Sequence, residues 1–363
     1  VTEPSTAHYH LDQINPTGER ASELGLARQL MGADLVTRGD GWERGVRSVL
    51  LQNDLVAFEV VVDRCFDIAG ARVRQVPIGW RSATEIVAPW YVENTGFGPH
   101  RSFFGGLLKT CGLDHIGLPV KTDISGGRQA NGEYPMHGRI SGAPGRLHGY
   151  GVQSTADGGL EAFVEGTVSQ VAVFDEHLTL HRRISIAYGS ATIRVADTVT
   201  NHGLRPTPLA MLYHVNVGWP VLSPDAILTM PHRLLDGAHN YAPIAAPSAN
   251  GSSRTWMFGA DQGPEGMARA GIANASIGAN QSAGLVVSWN PAMLPTLLHW
   301  QMNLPAGNYA LAFEPSTIRP VGSSNPFPIL EPAESVSLGI DLELLHGVAG
   351  QDLLALAESK GGR

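Results

Sequence analysis

Five polar groupings interrupt otherwise apolar stretches of this chain, and polar side chains in such settings are costly to bury unless something pairs with them. Asp63-Arg64-Cys65-Phe66-Asp67-Ile68 closes a strongly apolar run. The guanidinium of Arg64 is a fixed fork of donors suited to sugar hydroxyls or a carboxylate, and its structural alternative is an ion pair closing a sheet edge. Phe103 to His115 is laced with glycine, so the backbone there is expected to approach something closely, with Asp114 among the polar members available to line a pocket. Met136-His137-Gly138-Arg139, read as extended chain, turns His137 and Arg139 to one face, because strand side chains alternate with period two. The same rule places His214 and Asn216 together on the run Leu212 to Val217, with Trp219 just beyond it. Glu314 ends the apolar run Tyr309 to Phe313 immediately before Pro315, where desolvation raises a carboxyl pKa, or where a salt bridge with Arg319 would close the strand.

These residues need strands to hold them. Leu178, Leu180, Arg182, Ile184 and Ile186, then Ile193, Val195, Asp197 and Val199 after Tyr188-Gly189-Ser190, alternate with period two and predict an antiparallel hairpin. Similar runs occur over 49–62, 159–173, 209–217, 284–289, 309–314 and 335–345. No alternation of strands with helical segments appears, which disfavours a doubly wound nucleotide fold. The 43 glycines and 24 prolines are spread along the chain rather than gathered in a linker, as suits many short strands joined by turns. The expected fold is therefore all-β, a large antiparallel β-sandwich with few short helices, one over 22–31 and one over 352–359. A single domain over 36–363 follows an N-terminal arm over 1–35. His8-Tyr9-His10, in that arm, has ligand-like spacing without an acidic partner and is attributed to chance.

Composition narrows the partners. With 25 Lys and Arg against 33 Asp and Glu, a net charge of -8 argues against nucleic acid. No apolar run reaches the roughly 18 to 20 residues of a membrane-spanning helix. Cys65 and Cys111 do not make a disulfide framework, and a cytoplasmic, reducing location is expected. A homodimer is allowed by this reading.

Taken in order, Asp63 to Ile68, Gly106-Leu107-Leu108-Lys109-Thr110-Cys111-Gly112-Leu113, His137-Gly138-Arg139, His214-Val215-Asn216 and Phe313-Glu314-Pro315 resemble the aldose 1-epimerase (galactose mutarotase-like) superfamily. More particularly, they resemble an epimerase-like branch of it classed as a domain of unknown function. The resemblance implies a mutarotase-like supersandwich whose concave face binds a sugar, without a cofactor. It implies an isomerase in which Glu314 is the base and His214 the acid of sugar ring opening, with Arg64, His137, Arg139, Asn216, Trp219 and Asp114 as substrate-binding residues. Each positioned acid or base is typically worth about 10²- to 10⁴-fold. The chain departs from the family's pattern where Val215-Asn216-Val217 and Arg139-Ile140-Ser141-Gly142 stand, which leaves a ketose, an oxidised sugar or a sugar acid open as substrate. Two other readings stay open. One is a metal-assisted isomerase, epimerase or lyase using His137, His214 and Glu314 as ligands of a divalent metal. The other is a non-catalytic carbohydrate-binding protein.

Overall fold

The computed structural model describes residues 9–11, 27–121, 133–156, 158–230, 234–236, 244–278, 281–319 and 325–347. Two large sheets dominate. In the first, the strands run in the spatial order Leu234–Asp236, Ser253–Gly259, Thr296–Asn303, Tyr309–Ser316, Ala210–Val217, Leu108–Leu113, Asp67–Val73, Val56–Val61, Arg47–Gln52 and Gly32–Thr37. The second runs Tyr9–Leu11, Arg146–Ser154, Leu160–Val171, His177–Ala187, Thr192–Asn201, Ser335–His346, Ala283–Trp289, Ala268–Asn274 and Ile227–Thr229. Tyr9–Leu11 joins Arg146–Ser154 in parallel, whereas the other strands of both sheets pair antiparallel.

The predicted hairpin is present as His177–Ala187 and Thr192–Asn201, with Ile184 facing Val195 across the ladder. Its inward positions Leu180, Ile184, Val195 and Val199 pack into one core with Met211, Tyr213, Val215, Leu311 and Phe313 of the first sheet. Burying each such aliphatic or aromatic side chain contributes roughly 1.5 to 3 kcal/mol, so alternation on both sheets is what holds them face to face. The strands expected over 49–62 appear as Arg47–Gln52 and Val56–Val61, and those over 209–217 and 309–314 as Ala210–Val217 and Tyr309–Ser316. The helix expected over 22–31 is described only from residue 27, where Ala27–Gln29 makes a single 3-10 turn. The helix expected over 352–359, and His8, lie outside the described residues.

Ala210–Val217 is buried at every position, on both faces. One face meets the second sheet. The other is roofed by loops, and that roofed face carries the site.

Candidate functional site

Register brings the chemistry together. Lys109 lies opposite His214 across one ladder, and the ladder that sets Val215 opposite Phe313 sets His214 opposite Glu314. Directly opposed residues share a face, so three adjacent strands present Lys109, His214 and Glu314 as a row. His214 Nε2 stands 3.4 Å from Glu314 Oε1. His214, Glu314 and Lys109 are respectively 5%, 3% and 4% exposed, which makes this row one of the few places where the sheet hides titratable groups.

Aromatic rings wall the row. The His214 ring lies 5.3 Å from Phe103, 5.7 Å from Trp300 and 5.8 Å from His137, centroid to centroid. Trp80 spans Phe103 and Trp300 at 5.7 and 6.1 Å, and Lys109 Nζ sits 4.9 Å from the Phe103 centroid. Both indoles are fixed by their N–H groups, Trp80 donating to the Gly307 carbonyl and Trp300 to Ser253 Oγ, each at 2.8 Å. Gly105 makes room for the first of them. Its φ is 72°, and a Cβ there would stand 2.5 Å from the Trp80 carbonyl oxygen and 2.9 Å from the Trp80 ring.

His137 reaches the row from a turn, not a strand. Its φ of 59° and that of Gly138, 74°, put two successive residues in the left-handed region, a conformation that costs a histidine on the order of 1 kcal/mol and persists only when its surroundings hold it. Here the backbone of His137 donates to Gly117 O and accepts from Gly112 N, both at 2.9 Å. The expected common face of His137 and Arg139 is thereby corrected: His137 stands against His214, whereas Arg139 turns to an ion pair with Asp114 and to the Glu133 carbonyl at 2.5 Å.

Burial dominates the electrostatics. It pushes the Glu314 carboxyl up to about 8, and it pulls His214 down to about 3 with Lys109 adding to the effect. Glu314 and His214 thus share one proton at neutral pH, held on the carboxyl. Burial likewise brings Lys109 down to about 8, with Arg64 as the next cause, and takes His137 well below its ordinary value, with His214 next.

Other expected site residues lie elsewhere. Arg64 is fully buried and spends its guanidinium on the Ser141, Val87 and Ser102 carbonyls at 2.8, 2.8 and 3.0 Å, bracing three loops rather than facing a pocket. Trp219 is 75% exposed and lines an open groove with Arg74, Asn274 and Gln281. Asn216 shares the His214 face as expected, its Nδ2 donating to the His214 carbonyl at 3.1 Å and its buried Oδ1 without a partner. Glu314 meets His214 rather than Arg319. Among the described residues no group of three His, Cys, Asp or Glu side chains that could hold a metal ion is present. Phe103, Trp80 and Trp300 were not named as site residues, and Lys109 entered only as one of the polar members of the Phe103 to His115 run. Only Lys109 left a usable signal, a lone ammonium inside the apolar run Leu107 to Leu113.

The family model that matches this chain is a domain of unknown function, DUF4432, over residues 43–344. The chain belongs to the DUF4432 family. No curated protein matches it. Among solved structures, this DUF4432 chain is similar to a candidate aldose 1-epimerase of Klebsiella pneumoniae, with a TM-score of 0.76, 19% identity, and coverage of 91% of this chain and 88% of that one. A galactose mutarotase-like protein of Clostridium acetobutylicum aligns with a TM-score of 0.62 at 12% identity, covering 87% and 99%. The galactose 1-epimerase of Lactobacillus acidophilus aligns with a TM-score of 0.54 at 16% identity, covering 88% and 100%. At these identities the likeness establishes a mutarotase-like β-sandwich for the DUF4432 chain. Among the described residues no helix is long and apolar enough to cross a membrane.

Proposed function

We propose that this protein is a carbohydrate-active isomerase of the aldose 1-epimerase type, opening a cyclic sugar by acid and base catalysis at Glu314 and His214. The observation that carries the reading is the pair itself: an imidazole and a carboxyl 3.4 Å apart, both buried, beneath a wall of Phe103, Trp80 and Trp300. Ring opening removes a proton from the anomeric hydroxyl and delivers one to the ring oxygen. Those two oxygens are attached to the same carbon, so two groups in mutual contact can serve both. One proton suffices for the pair.

Because burial leaves that proton on Glu314, the carboxyl donates to the ring oxygen as His214 Nε2 accepts from the anomeric hydroxyl. The C1–O5 bond breaks, a carbonyl forms at C1, and rotation about C1–C2 exposes its other face. Closure then runs with the roles exchanged, Glu314 as base and His214 as acid, and the anomeric centre is inverted. The rings of Trp80 and Trp300 offer apolar faces to the sugar, and aromatic faces with fixed N–H groups lose little entropy on binding.

Anomer-exchange NMR in deuterated water, on a panel of aldoses, ketoses and uronic acids with and without a chelator, tests this. Accelerated exchange that a chelator leaves unchanged, without deuterium at carbon, is the expected result. Deuterium at carbon would replace it with proton abstraction beside a carbonyl, and no exchange of any sugar would overturn it.

A further inference from the structure

Resting on that reading and deepening it, we infer that the substrate is a monosaccharide bearing an anionic group, a carboxylate or a phosphate, which Lys109 receives. Lys109 is 4% exposed, and its ammonium sits over the Phe103 ring with no carboxylate of the described residues in ion-pair contact with it. Buried charges are normally paired, so an ammonium left without a carboxylate beside the proposed acid and base has its partner still to come from solution. The groups around it bring no compensating negative charge, for burial holds His214 and His137 as neutral imidazoles. His214 lies directly across the ladder, His137 packs on His214, and His100, His115 and Lys109 each disfavour a proton on His137.

The carboxyls that would balance this ammonium are committed elsewhere. Asp114 is paired with Arg139, Asp67 accepts from Thr110 on the opposite face of the sheet and attracts Lys109 only from beyond ion-pair contact, and Glu314 is kept protonated by its burial. The chain as a whole carries -8, so Lys109 is an isolated inward ammonium and not part of a basic surface. A neutral sugar would bury the ammonium further without compensating it. An anionic one compensates it and leaves Glu314 and His214 free for the anomeric carbon.

The test compares wild type, Lys109→Met and Lys109→Arg by anomer-exchange NMR and calorimetry on glucose, glucuronate, glucose 6-phosphate, galactose and galacturonate. Truncating one partner of a buried, hydrogen-bonded charge pair typically corresponds to about 30-fold or more in affinity. Wild type is therefore expected to prefer one anionic sugar over its neutral counterpart by about that factor in kcat/KM. The ratio should collapse toward one in Lys109→Met and be partly kept in Lys109→Arg. Preference for the uronates or for the phosphate tells a carboxylate from a phosphate. Equal handling of neutral sugars, or a preference that survives Lys109→Met, overturns the inference while leaving the acid and base reading in place. Lys109-dependent binding of an anionic sugar without exchange does the reverse. Should Lys109→Met not fold, inorganic phosphate and sulfate are the probes on wild type: competition supports the anion site, and its absence overturns it.

Discussion

Tyr213 and His214 are neighbours in sequence on opposite faces of one strand, and Thr110 and Lys109 stand in the same relation on the next. The inward pair joins a network between the sheets. Arg182 donates through Nε and one terminal nitrogen to both carboxylate oxygens of Asp197, at 2.8 and 2.7 Å, and through the other to Thr110 Oγ1 at 2.6 Å. Tyr213 donates to Asp197 at 2.7 Å, and Thr110 donates to Asp67 through its amide and hydroxyl at 2.8 and 2.6 Å. The outward pair is left hungry: Lys109 meets a ring, and the buried Nδ1 of His214 and Oδ1 of Asn216 have no partner. Two faces of the same strands therefore separate two uses of buried polarity. Charges that satisfy one another brace the sandwich, and charges that do not are available to a ligand.

Mutation should split the two faces most sharply in stability. Arg182→Ala strands the carboxylates of Asp197 and Asp67 in the core and is expected to cost about 3 to 5 kcal/mol in urea unfolding. Lys109→Met removes an ammonium with no carboxylate partner and should be neutral or stabilising by about 1 kcal/mol. Equal losses in the two variants would erase the distinction.

A smaller effect sharpens it through pH. The folded chain holds the Glu314 proton up to about 8, whereas the unfolded chain releases it near the ordinary carboxyl value of 4.5, so this group's contribution is fully present below 4.5 and lost as pH rises through 8. At about 1.4 kcal/mol for each unit of pH, wild type should lose about 2 kcal/mol relative to Glu314→Gln between pH 6.5 and 8. Urea midpoints of both proteins at the two pH values check it. A pH-independent difference would place the proton elsewhere.

Much of this arrangement was legible in the sequence because burial leaves a period-two trace. Leu178 to Ile186 and Ile193 to Val199 alternate as the sandwich requires, and His214 and Glu314 stand out as titratable groups in apolar strands. What was not legible depends on register and on loops. Lys109 and His214, 105 residues apart, and His214 and Glu314, 100 apart, become neighbours only when their strands align, and Trp80 and Trp300 meet across 220 residues. Arg64 read as a ligand-binding fork because its three carbonyl partners lie 23, 38 and 77 residues away, where local pattern carries no information. His137 read as extended because period-two reasoning does not see that Gly138 and the carbonyl of Gly117 stabilise a left-handed turn.

The central claim is that Glu314 moves a proton, and Glu314→Gln tests it most directly, since the amide keeps the shape of the side chain while removing its acid and base. Measured by anomer-exchange NMR on the best wild-type substrate, with calorimetry of the same ligand, exchange should fall about 10²- to 10⁴-fold while affinity stays within ~3-fold. Exchange that persists at the wild-type rate would contradict the assignment of this buried pair as the acid and base.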